Sequence, residues 1–228
     1  FDIVTSAKPD AIKELFELEG SVGQSFAVHL VSGHEVASYR TDEYGETGSA
    51  KDVAISLASS VDEDVRRRDF TINGMVYDND SGQVFDFVGG MEDLQNGVVK
   101  FIGDPEKRIR EDSVRMLRAI RFANRFDFTI DPESLKAIKK NMPKIKDIPG
   151  ERIRLEMMKM LEAKDTINGL NLMLETGFFE HVMPELYAGH GVDQNRYHGE
   201  SILLHNMLAA DAIKKKDPVL KMAMLLHD

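Results

Sequence analysis

After Asp104-Pro105 the sequence stops alternating and stays helical in period almost to its last residue. The spacing predicts helices over Glu106 to Asn124, Pro132 to Lys140, Gly150 to Leu161, Thr166 to Thr176, Ser201 to Lys215 and Pro218 to the end. Pro143, Pro149, Gly169 and Gly177 punctuate them. Before the switch the chain is mixed. Phe1-Asp2-Ile3-Val4 reads as a short strand, and Ser6 to about Leu18 as a helix with proline near its start. Phe26 to Val31 and Glu35 to Tyr39 predict a hairpin around Ser32-Gly33-His34. Thr41 to Ser49 reads as a polar, mobile loop, and Met75 to Tyr77 with Gln83 to Phe87 as a second hairpin. That division makes the chain α+β: a small head of strands and helices, then a helical body.

One helical segment carries more than packing. On a helix, Met116, Leu117, Ile120 and Ala123 fall on one side of the stretch Glu111 to Phe122, and Arg115, Arg118 and Arg121 on the other. Asp112 stands one turn before Arg115. An acid beside an arginine can read the edge of a base, and further arginines can hold phosphates with two-pronged donors. The same pattern also fits a solvated face laced with i,i+3 ion pairs. Composition helps to weigh the two. The 228 residues carry a formal net charge of -10, which argues against blanket nucleic-acid binding. Yet Lys100 to Lys159 holds sixteen Lys/Arg against ten Asp/Glu, so a polyanion would have to meet this local face. Within it, Lys139, Lys140 and Lys144 are the candidate RNA contacts.

Absence of cysteine excludes a disulfide framework and thiolate metal sites. No apolar run is long enough to span a membrane and no signal peptide is visible, so the expected location is cytoplasmic. A second basic stretch is Arg66-Arg67-Arg68-Asp69-Phe70-Thr71-Ile72-Asn73-Gly74. Three consecutive arginines cannot all be buried. The adjacent Asp69 can brace a guanidinium, and Asn-Gly can turn the chain into the next strand. A plain basic loop is the alternative.

Taken in order, Arg67-Arg68-Asp69-Phe70-Thr71-Ile72-Asn73, then Asp86-Phe87-Val88-Gly89-Gly90-Met91-Glu92-Asp93-Leu94, then Glu-Asp-x-x-Arg-x-x-Arg-x-x-Arg-Phe from Glu111, then Glu151-Arg152-Ile153, resemble the class II CCA-adding tRNA nucleotidyltransferases. Bacterial poly(A) polymerases share much of the pattern, and the match runs from about Asp2 to Leu186. The resemblance implies a polymerase-β-type nucleotidyltransferase head over 1–102 and a helical neck and body over 103–188. It implies template-independent transfer of CMP and AMP from CTP and ATP to the 3′ end of tRNA with Mg²⁺. Asp2 matches the second acid of the family's metal pair; the first acid and its glycine loop would lie before Phe1. Two acids are needed because paired Mg²⁺ ions activate the 3′-hydroxyl and steady the leaving pyrophosphate.

By the same resemblance Arg68, Arg118 and Arg121 contact the nucleotide, Asp112 and Arg115 read the incoming base, Glu111 braces Arg115 and Asp69 supports Arg68. Glu35 falls in the family's hairpin and is expected to be structural. The family's mobile loop usually carries an arginine, where this chain has Tyr44-Gly45-Glu46-Thr47-Gly48-Ser49, which weakens the case for full CCA addition. The segment 189–228 resembles the start of an HD domain, with His205, His227 and Asp228 as metal ligands; a core histidine beside a helix-end acid fits the same residues. Alternatives within the family are a poly(A) polymerase or an enzyme adding only CC or only A. Outside it stand an HD metal-dependent phosphohydrolase with a vestigial head, and a non-catalytic RNA-binding module.

Overall fold

The computed structural model describes residues 2–21, 28–44, 53–195 and 198–228. The chain divides into two compact units, Phe1–Gly90 and Met91–Asp228.

The first unit opens with β1 (Ile3–Thr5), α1 (Pro9–Leu15), β2 (Gly20–Ser21), β3 (Val28–Val31) and β4 (His34–Ser38). These strands form one sheet in the order β1-β4-β3-β2, with β1 parallel to β4 and the others antiparallel. The β3–β4 turn is made by Ser32 and Gly33, both at positive φ (49° and 74°), the twist a tight hairpin needs. Ile12 of α1 packs on Val31 and Val36, with Ala7 and Leu18 around them. Next come β5 (Arg40–Tyr44) and β6 (Val53–Leu57), paired antiparallel. This corrects the expected loop: Thr41 to Tyr44 are strand, paired with Ser56 to Val53, while 45–49 lie outside the described residues.

Then follow α2 (Val61–Arg66), a 3₁₀ turn at Thr71–Asn73, and the hairpin β7 (Met75–Asp78) and β8 (Gln83–Asp86). α3 (Gly90–Gln95) starts at the boundary. A Cβ on Gly90 would run into the Thr71 carbonyl oxygen, so this glycine lets the Asp86–Gly90 turn close on the Thr71–Asn73 turn.

The second unit is helical: α4 (Pro105–Glu111), α5 (Arg115–Phe126), α6 (Pro132–Asn141), α7 (Gly150–Leu161), α8 (Ile167–Glu175), α9 (Phe178–Val182), α10 (Pro184–Tyr187), α11 (Ile202–Ala212) and α12 (Pro218–Leu225). Two-stranded pairs Val98–Val99 with Thr129–Ile130, parallel, and Asp193–Asn195 with His198–Ser201 complete it. Such two- to four-residue strands carry little period to read. α5 is the central helix, with Met116, Leu117, Ala119, Ile120 and Ala123 buried and α7 and α8 packed on it. Asn124 fastens α8: its Oδ1 accepts from the Gly169 N–H at 2.8 Å and its Nδ2 donates to the Asp165 carbonyl at 3.1 Å.

The expected single helix Glu106–Asn124 is two helices. Asp112 takes an extended backbone (φ -154°), and its Oδ1 accepts from the Val114 N–H at 3.1 Å. A short acid turns the chain through its own backbone here, an option helix period does not register.

Candidate nucleotide-binding site

In the first unit, Asp2 is exposed, one residue before β1. Among the described residues, none of the groups of three or more His, Asp or Glu that could hold an ion includes it.

The arginine run is organised by a residue that the sequence reading left out. Ser60 starts α2 by accepting from the Glu63 N–H, and Asp64 on the following turn is fully buried. Arg67 donates Nε and Nη2 to Asp64 Oδ1 at 2.9 and 2.8 Å, and Arg68 donates Nη2 to Oδ2 at 2.9 Å. The Arg40 backbone N–H adds a fourth bond at 3.2 Å. Burial pushes the Asp64 carboxyl up, but the charges and hydrogen bonds of the two arginines outweigh it and hold the group below its ordinary value. Arg66 turns outward and pairs with Asp62 one turn back.

Arg68 is tied at a second point, Nη1 donating to the Asn73 carbonyl at 3.0 Å. Asp69 accepts from the Phe70 N–H and Asn73 Nδ2 at 2.9 and 3.0 Å and so braces the same turn. Arg68 is thus a fixed guanidinium with a quarter of its side chain exposed. The signal for Asp64 was present: it sits three and four residues before the arginines it holds, the spacing of helical ion pairs.

In the second unit, Glu111 and Arg115 are brought together at the break between α4 and α5. Arg115 Nη1 donates to Glu111 Oε2 at 2.7 Å and to the Arg108 carbonyl at 3.0 Å, and Arg108 Nη1 donates to the same Oε2 at 2.7 Å. Arg115 and Glu111 are both buried. Asp112 points elsewhere: Arg152 of α7 donates Nη1 to its Oδ1 at 3.1 Å and Nη2 to its Oδ2 at 2.8 Å.

The expected row of three solvent-facing arginines is corrected by packing. Arg121 is buried, with Nε donating to Glu156 Oε2 at 2.6 Å, and its guanidinium carbon lies 4.3 Å from the Phe122 ring centre. Arg118 is half-buried, 5.7 Å from the same ring. Sequence reasoning missed Glu156 and Arg152 as partners because both come from α7, far along the chain. Their cue was the Glu151-Arg152-Ile153 motif, which carried no assigned role.

Lys139, Lys140 and Lys144 all lie on the surface or near it, and each has a neighbour: Glu175 at 2.7 Å, Glu106 at 2.8 Å and the Asn141 amide oxygen at 2.8 Å. The Lys140 and Asn141 hydrogen bonds hold Glu106 below its ordinary value. The C-terminal trio is gathered: ligand atoms of His205, His227 and Asp228 all lie within 4.8 Å of one another. His227 Nδ1 faces the Met224 carbonyl at 2.7 Å, which leaves Nε2 toward Asp228 at 3.4 Å. Residues 196 and 197 of the segment 189–228 lie outside the described residues.

A strand-and-helix head followed by a helical body with clustered, acid-braced arginines has the architecture of the polymerase-β-type nucleotidyltransferases. Comparison with known proteins is specific. The profile of the poly A polymerase head domain matches residues 1–100, and that of the probable RNA- and SrmB-binding site of polymerase A matches residues 127–188. The CCA-adding enzyme of Limosilactobacillus reuteri is 38% identical over 184 residues, covering 79% of this chain and 45% of that enzyme. Poly(A) polymerase I of Salmonella typhi is 37% identical over 199 residues, covering 82% and 43%.

Among solved structures, the Bacillus stearothermophilus CCA-adding enzyme in complex with CTP superposes with a TM-score of 0.67 at 32% identity, over 76% of this chain and 42% of that one. The Thermotoga maritima CCA-adding enzyme, solved with tRNA, shares the fold at a TM-score of 0.63 and 24% identity, over 84% and 44%. The chain belongs to the family of class II CCA-adding tRNA nucleotidyltransferases and bacterial poly(A) polymerases. It spans a little under half the length of the curated relatives it matches. Among the described residues no helix is long and apolar enough to cross a membrane.

Proposed function

We propose that this protein transfers CMP and AMP from CTP and ATP to the 3′ end of tRNA without a template, with Mg²⁺ as the cation and Asp2 as one of its ligands. The proposal takes residues 1–102 as head, 103–188 as neck and body and 189–228 as an HD-like start. The observation that carries it is the break between α4 and α5, where a buried, Glu111-braced Arg115 stands three residues after a carboxylate, Asp112.

Cytosine and adenine both present an exocyclic amino donor beside a ring-nitrogen acceptor. A carboxylate accepts from the first and a guanidinium donates to the second. Uracil and guanine present a carbonyl beside an N–H, the reverse order. A fixed Asp/Arg pair therefore accepts C and A and refuses U and G, which is what a protein needs in place of a template. Arg118 and Arg121 are assigned to the nucleotide, as is Arg68 with Asp69 in support. Lys139, Lys140 and Lys144 are assigned to RNA, where each would exchange its present partner for phosphate.

Poly(A) synthesis is the second reading, favoured by the near-equal identity to poly(A) polymerase I. The test is to incubate the full-length protein with tRNA lacking its terminal nucleotides, Mg²⁺ and each NTP in turn. Addition of C then A supports the first reading and long A tails the second; binding without incorporation overturns both. His205, His227 and Asp228 are proposed as a separate divalent-metal site. Mn²⁺ titration against the His227→Ala variant tests it, and phosphate release from nucleotides without incorporation would mark an HD phosphohydrolase instead.

A further inference from the structure

α5 carries a second feature beside the arginines that face its acids. Arg118, Phe122 and Phe126 follow one another at i,i+4 and form one ridge of the helix, and Arg121 and Arg125 form the next. The Phe122 and Phe126 rings are nearly parallel, 7° apart with centres at 5.9 Å. Immediately after, Asp127 takes a left-handed backbone (φ 56°, ψ 44°), which few non-glycine residues adopt. The Phe128 N–H then returns to the Ala123 carbonyl at 2.9 Å, and the Phe128 ring comes to 5.6 Å from Phe126. Guanidinium groups lie along the stack: Arg118 and Arg121 by Phe122, and Arg125 at 5.6 Å from the Phe126 ring centre.

This ladder is not core. Phe126 is 45% exposed and Arg125 and Asp127 are exposed, while the apolar side of the same helix, Met116, Ile120 and Ala123, is fully buried. An exposed aromatic ring, Phe126, backed by the half-buried rings of Phe122 and Phe128 and bordered by cations, matches one ligand chemistry closely. Every nucleobase has a π face that stacks on an aromatic ring whatever its sequence, and the phosphates that follow it meet guanidinium groups. With Arg121 buried and paired to Glu156, the cations left at the ladder are the half-buried Arg118 and the exposed Arg125, against one acid, Asp127, so the face is net positive within a chain that is net negative.

We propose that the Phe122, Phe126 and Phe128 stack, with its bordering arginines, is a platform for the unpaired bases of single-stranded RNA. The inference deepens the proposed function, since the substrate there is an RNA 3′ end, but it concerns binding and stands on its own readout. Phe126 is the stacking ring and Arg125 the phosphate contact. Duplex RNA, whose bases are stacked on one another, offers no free face to the ladder.

The chain contains no tryptophan, so Phe126→Trp introduces a sole indole reporter at the platform. Adding a single-stranded RNA oligonucleotide should quench its emission saturably, whereas CTP alone and the same RNA as a duplex should not. By anisotropy with labelled RNA, Phe126→Ala should weaken single-strand binding about tenfold, while Phe126→Trp keeps or strengthens it. Unquenched emission with RNA bound at wild-type affinity, equal quenching by duplex, or no single-strand binding by the wild type would each overturn the proposal. Incorporation by the full-length enzyme is measured separately. A wild type that binds the single strand, with a Phe126→Trp variant that quenches, but that never incorporates nucleotide leaves the platform standing and removes only the catalytic reading.

Discussion

Arg152 grips Asp112 with both Nη atoms, at 3.1 and 2.8 Å, so the acid proposed to read the base is aimed by an arginine from another helix. One Asp112 oxygen also accepts from the Val114 N–H at 3.1 Å. A carboxylate has about four lone-pair sites, so room remains for one exocyclic amino group. The pair is part-exposed, with 40% of the Arg152 and 20% of the Asp112 side chain accessible, which limits its worth to folding to about 1 kcal/mol or less.

Arg152→Ala should therefore leave the thermal midpoint within a few degrees of wild type. Its effect should fall on selection: the CTP-over-UTP incorporation ratio should drop about tenfold, since a freed Asp112 loses roughly 1.4 kcal/mol of discrimination. Single-nucleotide incorporation with a parallel melt checks it. An intact ratio in Arg152→Ala alongside a collapsed one in Asp112→Ala would show that Asp112 needs no aiming.

Arg121 and Glu156 present the opposite balance, being both buried at 2.6 Å. Removing one partner strands a charge away from water. Glu156→Gln should cost the helical unit about 3 kcal/mol by urea unfolding, whereas an Arg121→Met, Glu156→Leu double variant should recover much of it. Equal losses in both would mean that packing volume, not charge pairing, holds α5 on α7.

Much of this architecture was legible in the sequence, and the misses share a physical origin. Gly150–Leu161 is a helix in the sequence pattern and in the structure, because its apolar spacing and its proline start are local signals. The first hairpin was legible from Ser32-Gly33, whose positive φ angles are the turn itself. What the pattern could not carry was distance. Period placed Arg121 on the polar face of α5, and it is buried because Glu156 arrives from 35 residues away to neutralise it. It ran one helix through Asp112 because side-chain-to-backbone bonding at a single short acid leaves no trace in apolar spacing. Thr41 to Tyr44 read as loop because its strand partner lies beyond a polar stretch. The motif residues were found as a group by resemblance; Asp64 carried a local i,i+3 and i,i+4 cue that went unread, and Arg152, present in a motif, gained its partner Asp112 only through the fold.

Asp64 gives the first unit a pH dependence with a definite sign. Its carboxyl is held below the ordinary value of 3.8 by Arg67 and Arg68 despite burial. A lowered folded pKa means that the unfolded chain takes up the proton first. The stabilisation is complete above the unfolded value and is lost as pH falls from there through the folded one. Acid unfolding of the head, followed by circular dichroism, should steepen below about pH 4. Asp64→Asn should be less stable at pH 7 by about 3 kcal/mol and flatter through the acid range. A variant with the wild-type acid profile would place the titrating group elsewhere.

The base-reading assignment makes the sharpest demand. Arg115 is buried and held by Glu111 and by the Arg108 carbonyl, a preset donor rather than a mobile side chain. In Arg115→Ala, Glu111 keeps its bond from Arg108 at 2.7 Å, so the variant need not strand a carboxylate and should fold. Its rate with CTP should fall, and its CTP-over-UTP ratio should fall further, because a missing polar partner costs most where the correct base needed it. Asp112→Ala should likewise relax the refusal of UTP, since no carboxylate then opposes the uracil carbonyl. Loss of charge alone predicts another pattern, an even change across all four nucleotides. Incorporation of CTP, ATP, UTP and GTP by wild type and both full-length variants separates the two. Equal loss on every accepted substrate, with selectivity intact, would make Asp112 and Arg115 structural residues and move base recognition to another part of the protein.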